Sequence, residues 1–363
     1  MAKHSAPEPP RKQKPKKGKR RFRWLVIPLV TLMILTGVLT MCVGVFLWRF
    51  DYEYDEEFNK KTDEELGINQ NTQTTLTKEV INIALFGVDS RNAKGFTGNT
   101  DSIMVISIDQ IHNKIKLTSI MRDTLVYMPE FGYRKINSVY RKGGPELAVK
   151  TINTMFNMNI RHYATVNFTG MADIIDAVGG IEVDVTESER WDANNSIRSM
   201  SKEVGTAPDY IQKAGPQILN GVQAVCWARI RHVSTADGVS DDFGRTDRQR
   251  FVMEQLFKKV TNMSVTQLPG LADTLLDYVK TSLSYGDVVD MAGIMMNKPV
   301  FEQTRIPQRE YVINADYRAK TGSSTVYYNL EYAGKVWQAF VYDDMMPEKY
   351  MEQNGVSKVP WAG

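Results

Sequence analysis

Residues 24–48, "WLVIPLVTLMILTGVLTMCVGVFLW", contain no charged side chain. A run of about 25 uncharged, mostly apolar residues is long enough to cross a bilayer as one helix. Trp24 and Trp48 bracket the run, where interfacial aromatics sit. The run exceeds the ~7–15 apolar residues of a secretory signal, and no small-x-small cleavage site follows it. Ahead of it, residues 1–23 hold ten Lys/Arg against one acid, Glu8. The positive-inside rule then puts the N-terminus in the cytoplasm and everything after Arg49 outside. The sequence therefore predicts a single-pass cell-membrane protein. It has a basic tail (1–23), a transmembrane helix (24–48), a polar extracellular linker (49–78) and a folded domain (79–363).

The net charge of +3 hides an asymmetry. Of 45 basic and 42 acidic residues, ten and one precede Trp24, which leaves 35 and 41 from Arg49 onward, net −6. An acidic outer domain argues against nucleic acid as a partner. Topology and anionic lipid headgroups account for the basic tail. The two cysteines, Cys42 in the span and Cys226 in the domain, give no disulfide framework, and Cys226 reads as a small core residue. His4, His112, His162 and His232 are scattered, so no Cys/His metal cluster is expected.

Strand patterns at 80–88, 101–109, 114–121, 162–168 and 181–185 alternate with helical patterns at 143–156, 169–180, 219–231 and 244–260. Pro145 fits a first helical turn and Gly179-Gly180 a helix stop. This predicts an α/β fold with a mixed central sheet and helices on both faces. Residues 186–214 read as an irregular surface excursion. Beyond 264 the signals weaken: helices near 267–280 and 286–296, then strand-like "REYVINA" and "STVYYNL".

Charged residues gather at the ends of these elements. Asp89 ends one apolar run and Asp101 begins the next, with Arg91 between them. Two carboxylates can share a Mg²⁺ ion completed by waters and substrate phosphate oxygens; they can equally cap turns. Arg122 and Asp123 follow the next strand, and Arg229 and Arg231 flank Ile230. In an extended segment both of those guanidinium groups share a face, a spacing that suits an anion. If a helix starts near Gly244, Arg245, Arg248 and Gln249 lie on one face of an N-terminus that itself favours anions. Arginine rather than lysine suits bidentate phosphate contacts. Together these groups predict a pyrophosphate or phosphodiester site outside the membrane, with the activated phosphate carried on a lipid. "MADIIDAV" and "FVMEQLFKKV" supply apolar faces that are either ordinary core or the lining of a lipid tunnel.

The stretches "LFGVDSR", "TDSIMVISID", "SIMRDTLVYMPEFGYRKINSVYRKGGPELAVKTIN", "HYATVNFTGMADIIDAVGGIEVDV" and "LNGVQAVCWARIRH…DFGRTDRQR" together resemble, in order over roughly 80–260, the LytR-CpsA-Psr family of cell-wall phosphotransferases. The resemblance implies transfer of a glycopolymer (teichoic acid, capsule or a related wall glycan) from a polyprenyl (pyro)phosphate carrier onto peptidoglycan in a Gram-positive-type envelope. It implies Mg²⁺ held by Asp89 and Asp101. Arg91, Arg122, Arg229, Arg231 and Arg245 would bind phosphate, with Gln249 beside them. Catalytic work would fall to Arg122, Asp123, Arg229 and Arg231, with Asp123 the first candidate for the base. The family's Arg-Ser-Asp is Asn99-Thr100-Asp101 here, so one arginine is missing. A hydrolase of lipid pyrophosphate using the same residues, and a membrane-anchored regulatory or binding protein, are the competing readings.

Overall fold

The computed structural model describes residues 53–70, 79–90, 95–235, 238–264, 278–308 and 324–355. Two compact units are present, 1–51 and 52–363, and the first lies outside the described residues. The basic tail, the span at 24–48 and Arg91 therefore lie outside them too. Among the described residues, no helix is long and apolar enough to cross a membrane.

The core of the second unit is a seven-stranded mixed sheet. Its strands are β1 (Glu53–Tyr54), β2 (Val80–Val88), β3 (Thr100–Asp109), β4 (Lys114–Ile120), β7 (His162–Asn167), β10 (Val279–Thr281) and β11 (Val300–Ile306), in the order β1-β10-β7-β2-β3-β4-β11. Two antiparallel pairs lie outside it: the hairpin of β5 (Leu125–Met128) with β6 (Gly132–Lys135), and β8 (Ile181–Val185) with β9 (Gly215–Leu219), which are joined through a helix. β2, β3 and β4 form an antiparallel meander, with Leu85 opposite Met104 and Phe86 opposite Ile103. β7 joins β2 in parallel, which requires a crossover.

That crossover contains α2 (Asn137–Phe156). The sequence pattern places this helix from 143; the structure adds a turn before it. Gly144, at φ 64°, breaks the helix between the two parts, and Pro145 starts the second with a φ already suited to a helix. Five further helices follow up to the end of the sheet: α3 (Phe168–Ala177), α4 (Glu187–Val204), α5 (Gly221–Ala228), α6 (Asp241–Thr261) and α7 (Tyr285–Met296). After β11 come α8 (Leu330–Tyr342) and α9 (Pro347–Gln353), and a single turn, α1 (Glu56–Asn59), precedes β2.

The period-2 alternation of the strands makes two cores. Phe86, Val88, Ile103 and Val105 face α2 and α8, where Phe156 meets Trp337 edge-on at 5.5 Å. Leu85, Met104, Ile106 and Leu117 face α3, α5 and α6. Helices thus cover both faces of the sheet, as the sequence predicts.

Four expectations change. Residues 187–204 are a helix, closed at one end by a Thr186/Glu189 capping box and at the other by left-handed Gly205. Val279–Thr281, expected to end a helix, is a strand; residues 265–277 lie outside the described region. "STVYYNL" forms no strand: Val326 bridges to Thr124, and Asn329 caps α8; "REYVINA" lies outside the described residues. In the stretch read as a spacer, Phe58, Leu66 and Ile68 are buried in the main core, and the Tyr163 hydroxyl donates to Asp55 at 2.6 Å. Cys226 is a buried free thiol, and burial pushes it up to about 12.

Candidate functional site

The site lies where the meander opens. At the open end of the β2–β3 pair, Gly87 faces Ser102 but Val88 faces Thr100. Asp101 is the extra residue of this bulge, and a bulge re-aims the side chain it carries. Gly98 makes the tight return possible: a Cβ there would lie 2.4 Å from the Asp89 carbonyl oxygen. The Asp89 N–H in turn donates to Asn99 O at 2.9 Å. Asp89 is exposed and Asp101 half-buried.

Asp101 Oδ1 accepts from Arg122 Nη1. Backbone bonds hold Arg122 in place from three directions. Met121 N–H donates to Ile306 O at 3.0 Å, Asn137 N–H to Arg122 O at 3.1 Å, and Val326 N–H to Asp123 O at 2.8 Å. The guanidinium then stands among three carboxylates: Asp101, Asp123 Oδ1 at 3.7 Å and Asp242 Oδ1 at 3.3 Å from Nε. Burial alone would lower its pKa, but the three carboxylates raise it above the ordinary arginine value. Lys135 adds a cation 3.2 Å from Asp123.

Asp242 is the hub that sequence reasoning missed. α6 starts at Asp241, three residues before the expected Gly244, so its first turn carries acids. Part of the helix dipole is therefore met by the chain itself. Asp242 Oδ1 lies 2.7 Å from Arg245 Nη2 and 3.7 Å from Arg231 Nε. The i,i+3 spacing of Asp242 and Arg245 was the signal that could have found it. Arg245 is almost wholly buried, and this lowers its guanidinium to about 10, offset in part by Asp242. It remains a cation at neutral pH. Arg122 Nε and Arg245 Nε are buried and donate no hydrogen bond. A half-buried cluster with open donors, in which Arg122, Lys135, Arg231 and Arg245 face Asp101, Asp123 and Asp242, is suited to an anionic ligand.

Two of the expected placements change. Arg229 is a helix C-cap in αR conformation, not extended, so it does not share a face with Arg231. Its guanidinium stacks over Phe168 at 4.0 Å and borders a cavity, while Arg231 turns to Asp242. Arg248 leaves the site: its Nε donates to buried Glu189 at 2.9 Å, and its Nη2 to Val233 O at 3.0 Å. It thereby pins the 229–233 segment from beneath. Gln249 lines the cavity with Arg229.

That cavity has a volume of about 400 Å³, within the range of ligand pockets. Its walls are almost entirely apolar, with Met171, Ile174, Val252, Met253 and Leu256 from the two segments flagged in the sequence. Ser102, Asn167, Arg229 and Gln249 supply its polar groups. Lining runs along α6 from Gln249 to Val260, about 16 Å at 1.5 Å per residue.

A second cluster occupies the other end of β3. Ligand atoms of Asp109, His112 and Asp344 lie within 4.8 Å of one another, close enough for one metal ion. Lys116, fully buried, sits 2.7 Å from Asp109 and 3.0 Å from Asp344, and Lys114 sits 2.8 Å from Asp344. The two ammonium groups already neutralise these acids. Burial would raise Asp109, yet its bonds to Lys116 and His112 bring it below the usual carboxylate value.

The α/β domain thus carries an apolar cavity beside a cluster of arginines and aspartates. Residues 49–332 match the LytR_cpsA_psr family, and the chain belongs to it. It is 35% identical over 235 residues to the regulatory protein MsrR of Staphylococcus aureus (strain COL), covering 64% of this chain and 65% of MsrR. It is 29% identical over 280 residues to the polyisoprenyl-teichoic acid–peptidoglycan teichoic acid transferase TagU of Enterococcus faecalis (strain ATCC 700802 / V583), covering 76% of this chain and 83% of TagU. Its fold matches TagT bound to LI-WTA, with TM-score 0.58, 20% identity and coverage of 78% of this chain and 97% of TagT. It also matches TagT (YwtF, from Bacillus subtilis) with bound octaprenyl pyrophosphate lipid, with TM-score 0.54, 19% identity and coverage of 77% and 98%.

Proposed function

We propose that this protein transfers a glycopolymer from a polyprenyl-pyrophosphate carrier to peptidoglycan, forming a phosphodiester bond outside the cell membrane. The observation that carries this reading is one juxtaposition: a long apolar cavity bordered by Arg229 and Gln249, next to a cluster of buried Arg245, half-buried Arg122 and exposed Arg231 joined through Asp242. A lipid tail fits the first and a pyrophosphate the second. TagU is by name a transferase of teichoic acid from a polyisoprenyl carrier to peptidoglycan, and TagT, which shares the fold, has been seen with bound octaprenyl pyrophosphate lipid; both support this reading. Residues 24–48 would anchor the domain at the membrane that supplies the carrier.

The acceptor hydroxyl oxygen bonds to the glycan-side phosphorus. The bond from that phosphorus to the bridging oxygen breaks, and the lipid leaves as its monophosphate. Such a transfer asks the protein mainly for positioning and charge neutralisation. Arg122, Arg231 and Arg245 hold the non-bridging oxygens, and Arg229 with Gln249 holds the lipid-side phosphate at the cavity. Asp123, between Arg122 and Lys135, takes the hydroxyl proton. Asp89, just after β2, and Asp101, at the bulge, offer hard carboxylate oxygens and are the residues that would hold Mg²⁺. Bound there, Mg²⁺ would supply further neutralisation of phosphate charge. Arg91, outside the described residues, would bind phosphate too.

The cavity is tested by filling it. Met253→Trp should lower kcat/KM for a long-chain polyprenyl-pyrophosphate glycan by about tenfold or more, and less for a short-chain analogue. The assay follows glycan attached to peptidoglycan by the full-length protein in detergent. Equal losses with both donors would mean that the tail does not use the cavity. The competing regulatory reading, which the name of MsrR shares, is favoured by no feature of the site.

A further inference from the structure

The β5–β6 hairpin leaves the site at Asp123 and returns to it at Lys135. In its register Leu125 pairs with Lys135 and Tyr127 with Tyr133. Paired residues, and residues two apart, share a face. One face of the hairpin therefore runs from Lys135, tied to Asp123, out to the two tyrosines. Tyr127 is 51% exposed and Tyr133 40%, with ring centroids 5.1 Å apart in an edge arrangement. Val126 and Met128, on the opposite face, are buried in the main core, so the hairpin is firmly seated.

Single exposed apolar residues need no explanation. A fixed aromatic pair next to a half-buried charge cluster does, because such rings combine apolar faces with hydroxyl tips at low entropic cost on binding. The chemistry they match is a sugar ring, with a C–H face and a polar edge. Geometry selects which sugar. The hairpin packs on the core shared with Val88, Ile103 and Val105, whereas the apolar cavity lies on the other face of the sheet, under Leu85, Met104 and Leu117. In phosphoryl transfer the attacking and leaving oxygens are roughly in line across phosphorus. With the lipid phosphate leaving toward the cavity, the attacking hydroxyl enters from the hairpin side.

We propose that Tyr127 and Tyr133 form the platform on which the peptidoglycan acceptor strand lies, with its hydroxyl presented to Asp123. This rests on the transferase reading above and names its acceptor subsite.

The test uses the full-length protein in detergent, with un-cross-linked peptidoglycan strands as acceptor and an octaprenyl-pyrophosphate-linked disaccharide as donor. The Tyr127→Ala/Tyr133→Ala variant should raise the acceptor KM by about tenfold, as expected for loss of aromatic anchors, with donor KM and melting temperature unmoved. It should also lose co-sedimentation with insoluble peptidoglycan, and Tyr127→Phe/Tyr133→Phe should recover most of it. Unchanged acceptor KM with transfer intact would overturn the platform and leave the transferase reading standing. If no transfer occurs with any donor but the alanine variant still loses peptidoglycan binding, the platform stands and the transferase reading falls. Loss of binding to anionic lipid vesicles, with peptidoglycan binding intact, would overturn the platform in favour of a membrane-facing hairpin.

Discussion

Replacing Arg122 with alanine is expected to lower kcat for glycopolymer transfer by about 10²–10³-fold or more, the effect of losing one preorganised donor to developing charge. Arg122 is the only residue that touches Asp101, Asp123 and Asp242 together among the described ion pairs. Its loss leaves three carboxylates facing one another where a doubly charged phosphate linkage must bind, so donor KM should rise as well. Arg122→Lys should recover little, because a point charge cannot span three carboxylates and a phosphate as a planar fork does. Single-turnover assays with donor and peptidoglycan, alongside a melting curve, separate this loss from unfolding. A kcat within threefold of the native value would remove Arg122 from the reaction.

The second large effect concerns stability. Arg248 and Glu189 are both nearly inaccessible to water, and their ion pair joins α6 to the first turn of α4. Arg248→Ala leaves a buried carboxylate without its cation, which costs about 3–5 kcal/mol. It also frees the Val233 and Ile230 carbonyls and therefore the segment that carries Arg229 and Arg231. A melting temperature lower by roughly 10 °C is expected for a domain of this size. Replacing both residues with apolar ones of similar volume should restore most of the stability but not the activity, since Arg229 and Arg231 lose their underpinning. Recovery of activity together with stability would show that the pair only holds the fold.

Much of the molecule was legible because its signals are local. The alternation in "VINIALFGV" and "DSIMVISID" placed β2 and β3, and the element ends placed the charged groups that meet around Arg122. Longer-range geometry was not legible. The bulge that selects Asp101 depends on register between two strands. The divergence of Arg229 from Arg231 depends on where α5 ends. Arg248 belonged to the expected basic face until a partner 59 residues away withdrew it. α4 was a different kind of miss: Thr186, Glu189 and the buried series Ala193, Ile197 and Met200 carry a helix signal, but the polar composition around them masks it. β11 and α8 escaped because their apolar residues face cores built by segments distant in sequence.

The most direct measurement mixes the full-length protein, a polyprenyl-pyrophosphate-linked glycan and peptidoglycan strands, and analyses the strands by mass after digestion. The account predicts muropeptides carrying glycan through a phosphodiester, with lipid monophosphate released in equal amount, and neither product with Arg122→Ala. Free glycan phosphate with unmodified strands would contradict it and assign the same site to hydrolysis.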